Sequence, residues 1–230
     1  MGLAEAVTIL FRDEHVLVAS KPAGMLSVPM HGARGAPGAP EDSGVSLPAA
    51  LKAQGIHVLP VHRLDREVSG AVLFALDETT RERLDAAFRE RSVRKTYWAL
   101  AQGRVKPESG TFHFPILDEG GIARVSAIGK KSVTRYRTLE RLPSSTAVEI
   151  DLVTGRHNQI RVHFAHAGFP LVGERKYARG KDALVKMRSR RVALHAWRLQ
   201  FAHPHGSAEV SVEAPLERDL VELLERARAS

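Results

Sequence analysis

A series of short apolar runs with β-like spacing, set at irregular intervals between Gly, Pro and charged turns, constrains this fold more than any other feature of the chain. The runs are "VTILF" (Val7 to Phe11) and "HVLVA" (His15 to Ala19), then "AVLFAL", "RKTYWALAQG", "KKSVTRYRTLERL", "TAVEIDLVTG", "VALHAWRLQFAHP" and "AEVSVEAP". In "TAVEIDLVTG", Val148, Ile150 and Leu152 alternate with Glu149 and Asp151, the period of a half-buried strand. Helical patterns appear only in places. They are "LPAALKAQG" closed by Gly55, "DETTRERLDAAFRERSV" with Leu84, Ala87 and Phe88 on helical spacing, "HNQIRVHFAHAG" with Asn158 as N-cap and Gly168 as stop, and the terminal "LERDLVELLERARAS". No repeat and no regular strand-helix alternation is present. The pattern predicts an α+β fold: a mixed, mainly antiparallel sheet with flanking helices.

At 230 residues, with 43% hydrophobic and 26% charged residues, the chain is expected to form one folding unit with a substantial core. "HGARGAPGAPEDSGVS" (31–46) lacks apolar periodicity and reads as a mobile loop inside that unit. The absence of cysteine excludes disulfides, thiolate metal sites and cysteine nucleophiles. The acidic residues Glu5, Asp13 and Glu14 interrupt the N-terminal stretch where a signal peptide needs apolar residues, so a cytoplasmic location and no membrane partner are expected. A net charge of +8 points to a polyanion as partner, nucleic acid first. The segment "ERKYARGKDALVKMRSRR" concentrates that charge. Arg175, Lys176, Arg179, Lys181, Lys186, Arg188, Arg190 and Arg191 stand there against only Glu174 and Asp182, as in a binding stripe.

In "HRLDREVSG" (His62 to Gly70), Asp65 lies between Arg63 and Arg66 just before an apolar run. An Asp in a turn most often caps or makes an Asx-turn. The flanking cations favour its carboxylate form, which suits a nucleophile or ion-pair stabiliser better than a general acid. Glu67 would share a face with Asp65 in an extended segment, but a surface ion pair is its more natural role. Tyr97, among cations and apolar strand positions, fits either a core tyrosine or a platform for an exposed base. Arg156 and Arg161 read as solvated or phosphate-binding side chains, and Arg161 stands at the margin of a helical apolar stripe, from which it could reach a cleft. His163 and His166 lack a clear third metal ligand, and "FAHPHG" reads as a turn rather than a ligand set.

Taken in order, "VLVASKPAGMLSVP", "HRLDREVSGAVLFAL", "RKTYWALAQG", "TGRHNQIRVHFAHAGFPLVGERKYA" and "LHAWRLQFAHP" resemble the RluA-type family of RNA pseudouridine synthases over most of the chain. The resemblance implies a pseudouridine synthase fold with a central active-site cleft, formed by a single catalytic domain (1–230) with no added N-terminal RNA-binding domain. It also implies the family's reaction: the N1–C1′ bond of a uridine is cut, the uracil turns, and it is rejoined through C5. Asp65 would be the catalytic carboxylate, attacking C1′ or removing a ribose proton. Tyr97 would stack on the uracil and assist removal of the C5 proton, and Arg161 would pair with Asp65. Arg63 would fill the gap left by the flipped nucleotide. The substrate-binding set would comprise Arg63, His62, Arg156, Lys186, Arg188, Arg190 and Arg191. No metal or organic cofactor is implied. The partner would be structured ribosomal or transfer RNA, bound by a monomer.

Two departures are visible. Glu67-Val68 replaces the family's usual Asp-Thr, and "TGRHNQIR" replaces "TGRTHQIR", which bears on substrate positioning more than on the reaction. A non-catalytic RNA-binding or RNA-chaperone protein of the same fold is the alternative. The presence of Asp65, Tyr97 and Arg161 argues against it.

Overall fold

The computed structural model describes residues 7–28, 45–178 and 187–229. Most of the loop expected at 31–46 lies outside them, as does Lys186. The chain divides into two compact units. One comprises Met1–Val93 with Leu199–Ala214; the other comprises Arg94–Arg198 with Pro215–Ser230.

In the first unit, β1 (Ile9–Arg12) and β2 (Val16–Lys21) form a hairpin, and β2 pairs antiparallel with β4 (Ser69–Ala75). The two-residue β3 (Leu59–Pro60) pairs with the other side of β4. All of β4 is buried, as its uninterrupted apolar run requires. The helix α1 (Leu47–Ala53) starts at Ser46, whose hydroxyl accepts the Ala49 N–H. A second helix, α2 (Glu78–Glu90), starts at Asp77, which accepts the Thr80 N–H, and ends at Arg91 in the left-handed region. Leu84 on α2 and Val93 just beyond it pack with Val16, Val18, Leu73, Leu199, Phe201 and Val212 to form this unit's core.

The second unit is built on β5 (Arg94–Gln102), β10 (Ser145–Leu152), β9 (Thr134–Arg141) and β6 (Ser109–Phe112), paired antiparallel in that order. A separate hairpin, β7 (Ile116–Glu119) and β8 (Ile122–Val125), turns at Gly120-Gly121. The helix α3 (Gln159–His166) packs Phe164 edge-on against Phe112 and Tyr136, while Val162 meets Ile116 and Ala123 of the hairpin. Towards the C-terminus, α4 (Arg218–Ala229) buries Leu220, Leu223 and Ala227 against Trp98, Leu100, Ala147 and Val172. Strand β11 (Leu194–Ala202) gives its first residues to this unit and its last to the other, and β12 (Glu209–Glu213) follows it.

The mainly antiparallel sheet with helices agrees with the sequence reading, and β1, β2, β4, β5, β9, β10, β11 and β12 fall on the runs that predicted them. Two details differ. The strands β3, β6, β7 and β8 were not anticipated, because they have only two to four residues without clean alternation. Asn158 does precede α3, but it adopts φ 50° and its side chain makes no capping bond, going instead to the Tyr177 hydroxyl at 2.7 Å.

Candidate active site

Asp65 belongs to the first unit, on a turn closed by the Val68 N–H donating to the Asp65 carbonyl at 3.0 Å. Both its neighbours are pinned to the segment following β2. Leu64 exchanges two bonds with the buried Ser27 hydroxyl, which accepts its N–H at 2.9 Å and donates to its carbonyl at 2.8 Å. Arg66 is held from its backbone and its side chain. Its carbonyl accepts from the Gly24 N–H at 2.8 Å and the Lys21 ammonium at 3.2 Å, and its Nε donates to the Gly24 carbonyl at 2.9 Å. Lys21, fully buried at the end of β2, also donates to the carbonyls of Pro22 and Met25 at 3.0 and 2.8 Å. A buried ammonium is stable only with such ligands. "SKPAGMLS" is therefore the mount for the Asp65 turn, and Lys21 and Ser27 are positioning residues that sequence reasoning did not single out.

Arg63 is exposed on this turn. His62, expected to touch substrate, is half-buried and has a role inside the fold: its Nε2 accepts the Leu73 N–H at 2.9 Å, and its ring stacks on Phe88 at 4.9 Å. An imidazole fixed in this way supports the HRLD turn.

Tyr97 and Arg161 belong to the second unit. Tyr97 is buried in the middle of β5, opposite Ile150 of β10. Lys95 shares its face of the strand, and burial pushes the Lys95 amine below the ordinary lysine range. Gly155, in "TGR", lies beside the Lys95 ammonium: a Cβ there would make an ordinary contact with Nζ at 3.5 Å.

Arg161 is buried on α3 and held by Glu174 in a two-bond fork, Nε to Oε2 at 2.6 Å and Nη2 to Oε1 at 2.9 Å. The same carboxylate accepts the N–H groups of Lys176 and Tyr177 at 2.7 and 3.1 Å. Burial alone would raise the Glu174 pKa, but Arg161 and the two amides outweigh it and the net shift is downward. The guanidinium also lies 5.5 Å from the Tyr177 ring centroid. Gly173 makes the turn that delivers Glu174. It sits at φ +82°, and a Cβ there would collide with the Arg191 carbonyl. Sequence reasoning passed over Glu174 because an acid inside a basic run reads as a stray counter-charge.

The start of α3 is locked by Gln159, which accepts from the Thr154 hydroxyl and the Arg156 N–H and donates to the Val133 carbonyl and the Thr134 hydroxyl. His157 Nδ1 lies 3.1 Å from Asp118 Oδ2 of β7. The "HN" pair thus belongs to the scaffold around Arg161: His157 meets Asp118, and Asn158 donates to the Tyr177 hydroxyl. Arg156 makes one long contact, 3.5 Å to the Lys131 carbonyl, and its buried Nε has no hydrogen-bond partner among the described residues.

Of the basic stripe, Arg175, Arg188 and Arg190 are exposed. Arg191 is not. It is buried against Asp219 and Glu217 at 2.7 to 2.8 Å, tying β11's approach to α4, and two carboxylates already neutralise it.

Residues 15–166, which carry both the Asp65 turn and the Arg161 helix, match the family model for RNA pseudouridylate synthase. The chain belongs to that family. Among curated relatives, ribosomal large subunit pseudouridine synthase C of Vibrio cholerae is 35% identical, covering 96% of this chain and 69% of the relative. The uncharacterized RNA pseudouridine synthase YhcT of Bacillus subtilis is 34% identical, over 94% and 70%. Among solved structures, human RNA pseudouridylate synthase domain containing 4 superimposes with a TM-score of 0.76 at 25% identity, covering 96% of this chain and 93% of that one. The human domain containing 1 protein gives 0.75 at 23% and supports the fold alone. The protein is accordingly an isomerase acting on RNA, with the pseudouridine synthase fold. No helix among the described residues is long and apolar enough to cross a membrane.

Proposed function

We propose that this synthase isomerises uridine in ribosomal RNA with Asp65 as its catalytic carboxylate, working as a monomer in the cytoplasm. The observation that carries the assignment is the mounting of the Asp65 turn: Leu64 and Arg66 on either side are each fixed by a pair of backbone-directed bonds, and Lys21 is buried beneath them. Catalysis rewards a carboxylate held within a fraction of an ångström of its target, and such mounting supplies that rigidity.

In the proposed reaction the N1–C1′ bond breaks as Asp65 acts at the ribose, either by bonding to C1′ or by taking a ribose proton. The uracil turns within the site, C5 bonds to C1′ as the Asp65–C1′ bond breaks or as Asp65 returns the ribose proton, the C5 proton is released, assisted by Tyr97, and N1 takes up a proton. No water is consumed, since the base is rejoined. Arg161, fixed by Glu174, orients the Asp65 carboxylate, and Arg63 fills the stack vacated by the flipped uridine, offsetting part of a cost of a few kcal/mol. Arg156, Arg188 and Arg190 contact phosphates. Ribosomal RNA is favoured over transfer RNA by the names of the Vibrio relatives.

The test is to map pseudouridine in RNA from cells with and without the gene after carbodiimide treatment, complementing with wild type or Asp65→Asn. A ribosomal site lost on deletion and restored only by wild type supports the whole proposal. A transfer RNA site restored in the same way corrects the substrate, and restoration by Asp65→Asn overturns the role of Asp65.

A further inference from the structure

Away from the Asp65 turn, the first unit gathers three histidines and two aspartates from distant parts of the sequence. His15, between β1 and β2, comes within 3.3 Å of Asp77 Oδ2 through its Nδ1, and its ring stacks on His205 with centroids 3.8 Å apart. One ligand atom from each of His15, Asp77 and His205 lies within 4.8 Å of the others. Each is held by its own support. Asp13 Oδ1 accepts the N–H groups of His15 and Val16, both at 2.8 Å, fixing the β1–β2 turn. Asp77 Oδ1 caps α2 through the Thr80 N–H, while Oδ2 accepts the Thr80 hydroxyl at 2.6 Å and also faces His15 Nδ1, so the hydroxyl must release Oδ2 for it to bind an ion. The His205 N–H donates to His203 Nδ1 at 3.1 Å, and His203 Nε2 lies 2.9 Å from Asp13 Oδ2.

We propose that His15, Asp77 and His205 form a binding site for a divalent zinc-like metal ion, with Asp77 Oδ2 as the anionic ligand and one imidazole nitrogen from each histidine. Two imidazoles and a carboxylate match the donors that zinc, cobalt and nickel accept, and they are a poor set for magnesium or calcium, which take oxygen ligands. Ligand atoms around a tetrahedral ion at about 2.0 Å stand a little over 3 Å apart, so entry draws the side chains in by about 1 Å. It also turns the rings out of their stack, because an imidazole lone pair lies in the ring plane. All three side chains are at least partly exposed. Arg83, whose Nη1 lies 3.2 Å from His205 Nδ1, and the Thr80 hydroxyl, 2.8 Å from His205 Nε2, are the neighbours that must yield. They make the site weaker than a closed four-ligand structural site, with the fourth position left to water. The bound ion would tie together the β1–β2 turn, the start of α2 and the turn between β11 and β12.

The test uses the full chain, stripped with EDTA and titrated with zinc chloride against a chromophoric chelator, with thermal unfolding read in parallel. One equivalent should bind, and zinc should raise the midpoint by a few degrees while magnesium chloride leaves it unchanged. His15→Gln, His205→Gln and Asp77→Asn, the last retaining a capping side chain, should each weaken zinc binding at least about tenfold. His57→Gln, at an exposed histidine of the same unit, should not. The site is refuted if the wild type takes up no equivalent, if the three replacements leave the affinity unchanged, or if His57→Gln weakens it as much.

Discussion

Two fully buried charges do the positioning at the scale of single residues. The Lys21 ammonium is wrapped by carbonyls from Pro22, Met25 and Arg66, and the Glu174 carboxylate by Arg161 and two amides. Removing one partner of such a group leaves the other buried and uncompensated, so Glu174→Leu should lower unfolding free energy by about 3–5 kcal/mol in a urea titration. Glu174→Gln, which keeps the shape and one acceptor, should cost less but still lower kcat with little change in KM, because the guanidinium loses its fixed orientation. A variant with full kcat would show that Glu174 serves stability alone. Neither group was legible beforehand. A lysine closing an apolar run and an acid inside a basic one look like ordinary surface residues until the backbone turns around them.

The chain patterns located most elements and missed those whose stability comes from neighbours. Strand β4 was readable because it is buried on both faces and carries an apolar run, and α2 because Leu84, Ala87 and Phe88 keep helical spacing. The hairpin β7–β8 was not, since its residues pack only when Val162 of α3 covers Ile116 and Ala123. The same helix carries a pH response. His163 Nε2 donates to the Phe114 carbonyl at 2.9 Å, and burial, reinforced by His166 and His113, lowers its pKa from 6.5 to about 4. The fold therefore favours the neutral ring. Its contribution is complete above about pH 6.5 and is lost as pH falls toward about 4, a change on the order of 3 kcal/mol. Urea midpoints of wild type and His163→Gln at pH 7.5 and 5 should differ in slope with pH, the variant being the flatter; equal slopes would assign the acid sensitivity to other groups.

For the whole molecule, the charge of +8 and the exposed arginines next to β11 supply the surface that the proposed function assigns to RNA, but charge density in sequence overcounts it. Arg188 and Arg190 face solvent while Arg191 is neutralised by Glu217 and Asp219. Replacing Arg188 and Arg190 together by Ala should weaken RNA binding and reduce the log-affinity versus log-salt slope by roughly 2. Arg191→Ala should leave that slope intact and instead lower the unfolding midpoint. The reverse pattern would restore Arg191 to the RNA-binding set. Long-range assembly also explains why "FAHPHG" read only as a turn, since the groups that meet the His205 ring, His15 by stacking and Thr80 and Arg83 by hydrogen bonds, lie far away along the chain.

The central claim is that Asp65 performs the isomerisation. The most direct measurement is release of tritium from RNA labelled at uridine C5, followed with wild type and with Asp65→Asn at matched RNA occupancy. Wild type should release tritium with the RNA length unchanged, and Asp65→Asn should bind equally well yet release it at least about a thousandfold more slowly. Release by Asp65→Asn at the wild-type rate would contradict the account.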